Sequence, residues 1–391
     1  MRVRRVAIIG VGMTEFGELW DQSFRDIGIM AGFEALHDAN VSSEKIDAMF
    51  VGNMSAGRFI EQEHVGALVA DYSGMAKSHI PSTRVEAGGA SGALAVRQAF
   101  LSIASGMHDI VVVGGAEKMT DVGDAEITNI QSATSDQEWE TVFGATYPSL
   151  YALMASRHMH EYGTTREMLS SVAVKNHKQG CLNPKAQFKR EITLDDVARS
   201  PPVALPIRTL DCAPISDGAA AVVMCPLDIA KKFTERPVEI LASAQASDTL
   251  ALNQRKSITE MAASKIAARR AFDMAKLSPS DMDVAEVHDN FTISEIMAIE
   301  DMGFFQKGQG GKASLDGRTS LNGDIAVNTS GGLKARGDPL GATGVAQIVE
   351  LVQQLRGKAD KRQVPDAKFG LAQNVGGTGA TVIIHVLGVE Q

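Results

Sequence analysis

Two short segments of the C-terminal half carry side chains suited to acid–base work. His288 follows the apolar run Val284-Ala-Glu-Val287 and precedes a helical pattern, a position where α/β proteins hold reactive groups. A lone imidazole is more often a packing residue, so position alone does not make it catalytic. Asp338 stands between Gly337 and Pro339, in a tight turn before a helix. Such a carboxylate serves as an Asx-turn or N-cap. In a closed pocket, burial would raise its pKa towards that of a general base. Asp289 and Glu295 offer similar chemistry with less positional support. Gly89 opens the tetrad Gly89-Ala-Ser-Gly92 at a helix start, where a backbone N–H favours an oxyanion.

Nucleophiles are harder to find. Of the three cysteines, Cys181 lies in a basic stretch, while Cys212 and Cys225 flank the strand after Asp217 and read as small core residues. Ser91 lies two residues after Gly89, so on a helix it points elsewhere, and no histidine stands near it as a base. Lys175-Asn-His177-Lys178-Gln-Gly180 and Asn183–Arg190 gather positive charge in a chain of net charge −9. They read either as a solvated polar loop or as an anion-binding segment. Gly10-Val-Gly12 follows a strand, but Glu15 holds the third glycine position of a dinucleotide fingerprint, and no phosphate-loop frame exists. His158 and His160 fall on different helix faces. No metal-ligand spacing emerges, so no metal is expected.

The elements that must position these groups alternate. Strand-like runs cover Arg5–Gly10, Ala48–Gly52, Asp109–Gly114, Ala219–Met224, Val238–Leu241, Val284–His288 and Thr381–Val386, with helical patterns such as Phe24–Ala39 and Ile258–Ala275 between them. That predicts an α/β architecture with buried sheets. A glycine-helix-strand-glycine unit occurs twice. Gly89–Gly92 opens a helix to about Ser105, followed by a strand ending at Gly114-Gly115. Gly341–Gly344 opens a helix to about Leu355, followed by a strand ending at Gly376-Gly377. Small residues at a helix start let backbones approach, so each helix can lie inside the molecule. This reads as a duplication. Residues 119–206 interrupt the rhythm as a long insertion, of the kind that forms lids and binding loops.

The composition, 44% apolar and 22% charged over 391 residues, allows two or three globular units. The acidic balance offers no field for nucleic acid or an anionic membrane. Three cysteines make no disulfide framework, so a reducing cytoplasm is expected. The basic start and short apolar run Val6–Ile9 are interrupted by Gly10 and Gly12 without a cleavage site, which reads against a signal peptide. No run approaches a membrane span.

The glycine-rich segments resemble the thiolase family, in its archaeal and sterol-carrier-protein-x branch. The likeness covers essentially the whole chain. It is carried by Arg84-Val-Glu-Ala-Gly-Gly-Ala-Ser-Gly92, Val113-Gly-Gly-Ala-Glu-Lys-Met119, Pro148–Met154, Asn183–Phe188, Pro214–Ala221, His288-Asp-Asn-Phe291, Asn328-Thr-Ser-Gly-Gly-Leu-Lys334, Gly337–Gly344 and Asn374–Gly379. The resemblance implies two similar βαβαβαββ halves in a five-layer α-β-α-β-α arrangement. The N-terminal half is drawn at 1–118 plus 207–235, an inserted loop domain covering coenzyme A at 119–206, and the C-terminal half at 236–391. It also implies a homodimer or tetramer.

The departures from that pattern bear on chemistry. Where the family has a nucleophilic cysteine in V-E-x-x-C-A-S-G, this chain has Gly89. Where H-D-C-F supplies a second cysteine, it has Asn290. Where G-H-P supplies a histidine, it has Asp338. The resemblance places Gly376 as a second oxyanion donor; Ser330 and Gly331 are expected at the substrate, as are Lys175, His177 and Lys178 if the basic stretch binds an anion. Acyl transfer through an enzyme thioester needs a thiolate, and glycine cannot form one. Aldol or retro-aldol cleavage of a β-hydroxyacyl-CoA remains feasible with His288 and Asp338. Cysteine-free members of the branch imply a small OB-fold, zinc-ribbon partner for such chemistry. An acetyl-CoA acetyltransferase and a non-catalytic acyl-CoA-binding scaffold are the competing expectations. Coenzyme A thioester enters as substrate, with no tightly bound cofactor.

Overall fold

The structure is a computed structural model and describes residues 3–389. The outer limits drawn from the sequence at 1 and 391 lie outside the described residues. In chain order the elements begin β1 (Val6–Met13), α1 (Phe24–Asp38), β2 (Ala48–Gly52), α2 (Ala56–Phe59), α3 (Val65–Tyr72), β3 (Ser82–Val85), α4 (Ser91–Ser105) and β4 (Val111–Glu117). Then come α5 (Asp124–Ser132), α6 (Tyr147–Tyr162), α7 (Arg166–Gly180), α8 (Leu194–Arg199), β5 (Pro202–Ala204), β6 (Ile207–Arg208), β7 (Gly218–Pro226) and α9 (Leu227–Ala230). The rest is β8 (Val238–Ser247), α10 (Ala262–Ala275), β9 (Val284–Glu286), α11 (Thr292–Asp301), α12 (Gly310–Leu315), β10 (Ala326–Val327), α13 (Gly332–Arg336), α14 (Leu340–Arg356), β11 (Phe369–Gly376) and β12 (Thr381–Gly388).

The strand order is β10-β9-β11-β12-β8-β1-β7-β4-β2-β3, with β5 and β6 as a separate ribbon. Read outward from the junction of β1 and β8, each half repeats one pattern. In the first half β1, β7 and β4 run antiparallel in turn, and β2 and β3 then follow parallel. In the second, β8, β12 and β11 run antiparallel, and β9 and β10 follow parallel. Two halves with one topology is the duplication that the repeated glycine unit predicts.

Packing explains the strand sequences. β1, β7 and most of β12 are buried along their length, because helices cover both faces of each sheet, and such strands read as continuous apolar runs. Helix α1 lies on β1, β7 and β4, and α10 lies on β8 and β12. Between the sheets α4 meets α14, which touches β4 and β7 on one side and β11 and β9 on the other. The central contact needs glycine. A Cβ on Gly92 would stand 2.6 Å from the Gly341 carbonyl oxygen, and one on Gly344 would stand 2.3 Å from Ala93 N. The result is the thiolase fold, in five α-β-α-β-α layers.

One strand boundary is corrected. The first strand does not end at Gly10: β1 runs from Val6 through Gly10 and Gly12 to Met13. A Cβ on either would meet α1 backbone oxygens at 2.3 and 2.4 Å, so they let α1 sit close on the sheet. Residues 119–206 carry the helices α5 to α8. Among the described residues, no helix is long and apolar enough to cross a membrane.

Candidate active site

The C-terminal ends of the parallel strands β9 and β11 deliver His288, Asn374 and Gly376 to one place. A loop from the other half, Glu86–Ala90, packs against them. A Cβ on Gly376 would stand 2.2 Å from the Ala87 carbonyl oxygen, and one on Gly88 would stand 3.3 Å from Gly377 N. Ser91 holds this loop: its Oγ accepts from Ala87 N at 2.9 Å and donates to the Gly88 carbonyl at 2.6 Å. That is a structural use of the hydroxyl, not a nucleophilic one.

His288 is 1% exposed. Asn374 Nδ2 donates to its Nδ1 at 2.9 Å, which puts the ring proton on Nε2. Burial, helped by Arg336, holds the imidazole at about 3, so it is neutral. Nε2 is buried without a partner. It faces Gly89: a Cβ there would stand 3.2 Å from His288 Cε1 and 3.5 Å from Nε2. The arrangement is a desolvated N–H donor beside bare backbone, suited to a developing oxyanion.

Asp338 occupies the turn between α13 and α14 that Gly337 permits with φ +114°. Ser216 Oγ accepts from its backbone N at 2.9 Å, and its Oδ1 accepts from Thr343 Oγ1 at 2.6 Å. Burial pushes its carboxyl up to about 6, against the Thr343 hydrogen bond and the Arg336 charge. Asp338 and Asn290 both line a cavity of about 380 Å³ together with Tyr147, Cys212, Phe291 and Lys334. Asn290 Nδ2 donates to Tyr147 Oη at 2.8 Å, and its Oδ1 accepts from Ser294 Oγ at 2.7 Å. Tyr147 and Tyr151 both donate to the Gly377 carbonyl, at 3.2 and 2.9 Å. Burial raises Tyr147 well above its ordinary value, so its hydroxyl stays protonated and able to donate.

Other expected residues are placed elsewhere. Lys175, His177 and Lys178 lie in the last turns of α7, not in a loop. Lys175 is buried, its ammonium taken by Glu295 at 2.8 Å and by the Val327 carbonyl at 2.8 Å. No charge is left there for a substrate. His177 is also buried, and Lys178 is exposed. Ser330 donates to Glu286, and the φ of +97° at Gly331 starts α13 beside the Gly180 backbone. Asp289 accepts from Leu333 N at 2.7 Å and from Asn176 Nδ2 at 2.6 Å. Burial and Glu295 push it upward. It braces the start of α13, while Glu295 holds Lys175, Asn176 and Asn328.

Cys225 is core, as expected, but Cys212 reaches the cavity wall. Burial, with Asp211, pushes its thiol up to about 12, so it is not a thiolate at neutral pH. Tyr147, Asn374 and Lys334 are the site residues missed from the sequence. Two of the four tyrosines, at i and i+4 beside Pro148, gave a usable signal for the first. Among the described residues, no three metal-ligating side chains gather in one place.

Comparison with known families decides the lineage. The thiolase N-terminal domain model matches residues 6–228, and the thiolase C-terminal domain-like model matches residues 244–389. The chain belongs to the thiolase family. It is 57% identical to an acetyl-CoA acetyltransferase of Methanothermobacter thermautotrophicus, over 98% of this chain and 99% of that protein. It is 36% identical to sterol carrier protein 2 of Bos taurus, over 97% of this chain and 71% of that protein. Among solved structures it resembles the Ltp2-ChsH2(DUF35) aldolase, with a TM-score of 0.87 and 28% identity. That match covers 100% of this chain and 99% of the other. This thiolase-family chain thus has relatives named for acyl transfer and for aldol chemistry.

Proposed function

We propose that this chain makes or breaks C–C bonds in acyl-CoA thioesters by aldol or retro-aldol chemistry, without an acyl-enzyme. The observation that carries this reading is the buried His288 Nε2–H facing Gly89, with no nucleophilic side chain between them. In the retro-aldol direction the thioester carbonyl oxygen of a β-hydroxyacyl-CoA accepts from His288. Gly89 lies against the His288 ring, and Gly376 packs on the Ala87 carbonyl of the loop that carries Gly89. Asp338 takes the β-hydroxyl proton, and the Cα–Cβ pair moves into the thioester as an enolate. An aldehyde or ketone leaves, Tyr147 gives its proton to Cα, and the proton held by Asp338 then returns to the Tyr147 phenolate, so both groups end as they began. Asn290 orients Tyr147. The Ltp2-ChsH2(DUF35) aldolase supports the reading by its likeness. A small OB-fold, zinc-ribbon partner and a homodimer or tetramer belong to the same proposal.

The test uses purified chain, alone and with such a partner, incubated with a β-hydroxyacyl-CoA. Release of a carbonyl product with a shortened acyl-CoA, and unchanged protein mass, is the expected result. Tyr147→Phe should slow release by about 10²- to 10⁴-fold, as for loss of one proton donor. No carbonyl release under either condition overturns the proposal. The 57% identity to an acetyl-CoA acetyltransferase favours acetyl transfer as a second reading. An acetylated side chain trapped by mass spectrometry would establish it.

A further inference from the structure

Three lysines are buried among the described residues: Lys118, Lys175 and Lys334. Two have carboxylate partners, Lys118 in Asp217 at 2.8 Å and Lys175 in Glu295 at 2.8 Å. Lys334, at 1% exposure, does not. Its Nζ has a single hydrogen-bond partner, His177 Nε2 at 3.3 Å. The other ring nitrogen of His177 lies 2.9 Å from the Arg190 carbonyl, which can only accept, so the proton is on Nδ1. Burial first, and then Lys334, hold His177 at about 4, so this partner is neutral. The stem of Lys334 brings Nζ to 5.5 Å from the Phe188 ring centroid, and that ring stacks on His177.

The neighbouring carboxylates are committed elsewhere. Asp211 binds Arg166, the Arg208 N–H and Thr292 Oγ1. Asp289 holds the backbone of α13 and Asn176. A buried ammonium with three donors and one neutral acceptor is under-compensated. Desolvation accordingly pulls it down to about 8. It stands on the wall of the cavity of about 380 Å³ that Asp338 and Asn290 share, so a ligand there can supply the missing anion.

We propose that Lys334 receives a carboxylate carried by the acyl group, so that the preferred substrates are coenzyme A thioesters of dicarboxylic acids. This rests on the reading of the cavity as an acyl-CoA site and names the acyl class. A carboxylate is a monoanion that one ammonium can neutralise. A phosphate of coenzyme A carries more charge and would call for more cationic donors than the single ammonium on this wall. The rest of the wall, with Phe188, Leu210, Ile215 and Phe291, suits the methylenes of a short chain.

Calorimetry with the full-length protein separates the possibilities, using free coenzyme A, butyryl-CoA and the nearly isosteric succinyl-CoA. Succinyl-CoA should bind about 10- to 100-fold more tightly than butyryl-CoA, the range for one charge-assisted hydrogen bond. Lys334→Met should invert or abolish that ratio, and Lys334→Arg should keep most of it. Equal wild-type affinities for the two thioesters overturn this inference while leaving the acyl-CoA site intact. Equal weakening of all three ligands in Lys334→Met also overturns it, by assigning the anion to coenzyme A. Failure of every coenzyme A species to bind the wild type removes the acyl-CoA reading as well.

Discussion

The two halves agree strand for strand, yet they bring different things to the centre. The N-terminal half ends its parallel strands in the loop Glu86–Ala90, whose hydrogen bonds run through Ser91 and whose contribution at Gly89 is backbone. The C-terminal half supplies side chains at the matching level: His288, Asn290 and Asn374 around β9 and β11, and Asp338 before α14. Even the turns before the two central helices differ in use. Ser91 closes on the main chain, while Thr343 holds a carboxylate at the cavity wall. A duplicated scaffold thus repeats its supports without repeating its chemistry. The shared feature is close packing of α4 on α14. The unshared feature is the set of buried polar groups that packing encloses.

The sharpest way to break that contrast is to remove the carboxylate of the C-terminal half. Asp338→Asn should lower carbonyl release by about 10²- to 10⁴-fold, the usual cost of losing a general base. In the wild type, activity should fall as pH drops through about 6, where the carboxylate protonates. Stability should move the other way. A carboxyl raised above its unfolded pKa binds its proton more tightly in the folded state, so its ionisation opposes folding. The opposition begins above the unfolded value and is complete above about 6. Asp338→Asn should therefore be more stable than wild type at pH 7, by on the order of 2 kcal/mol. The difference should vanish near pH 4. Urea titrations at the two pH values check the sign, and equal stabilities at both would show the carboxylate is not desolvated.

The next test strikes what the halves share. Gly115 in β4 faces the start of α14, and a Cβ there would stand 2.2 Å from the Gly341 carbonyl oxygen and 3.0 Å from Ala342 Cα. Both are backbone, so the helix itself must shift. Gly115→Ala should cost about 3 kcal/mol, read as a lower urea midpoint with loss of coenzyme A binding.

The sequence showed these supports more readily than the site. Strands buried on both faces are apolar throughout, so β2 and β12 could be read almost residue by residue, and the Gly-Ala-hydroxyl-Gly tetrads marked both central helices. His288 and Asp338 were legible because strand ends and helix starts are where such groups sit. The charge of Lys175 looks free in the sequence because its partner Glu295 lies 120 residues away, on α11. The polar residues of α7 hide a largely buried helix for the same reason, since burial of a polar group is decided by a distant partner. Tyr147 was missed because it acts through Gly377, on the far side of the chain's duplication. Lys334 was passed over because a lysine in a glycine-rich run gives no sign of being enclosed.

The smallest effect completes the comparison within one strand. Gly114 precedes Gly115 and points to the opposite face of β4, where a Cβ would meet nothing within 4 Å. Its backbone is not left-handed, so alanine is free to adopt it. Gly114→Ala should change stability by no more than about 0.5 kcal/mol, and the lower conformational entropy of the unfolded chain favours a gain. If it cost as much as Gly115→Ala, both glycines would be needed by the strand itself. The contact between the two halves would then not be what selects glycine at the inner face.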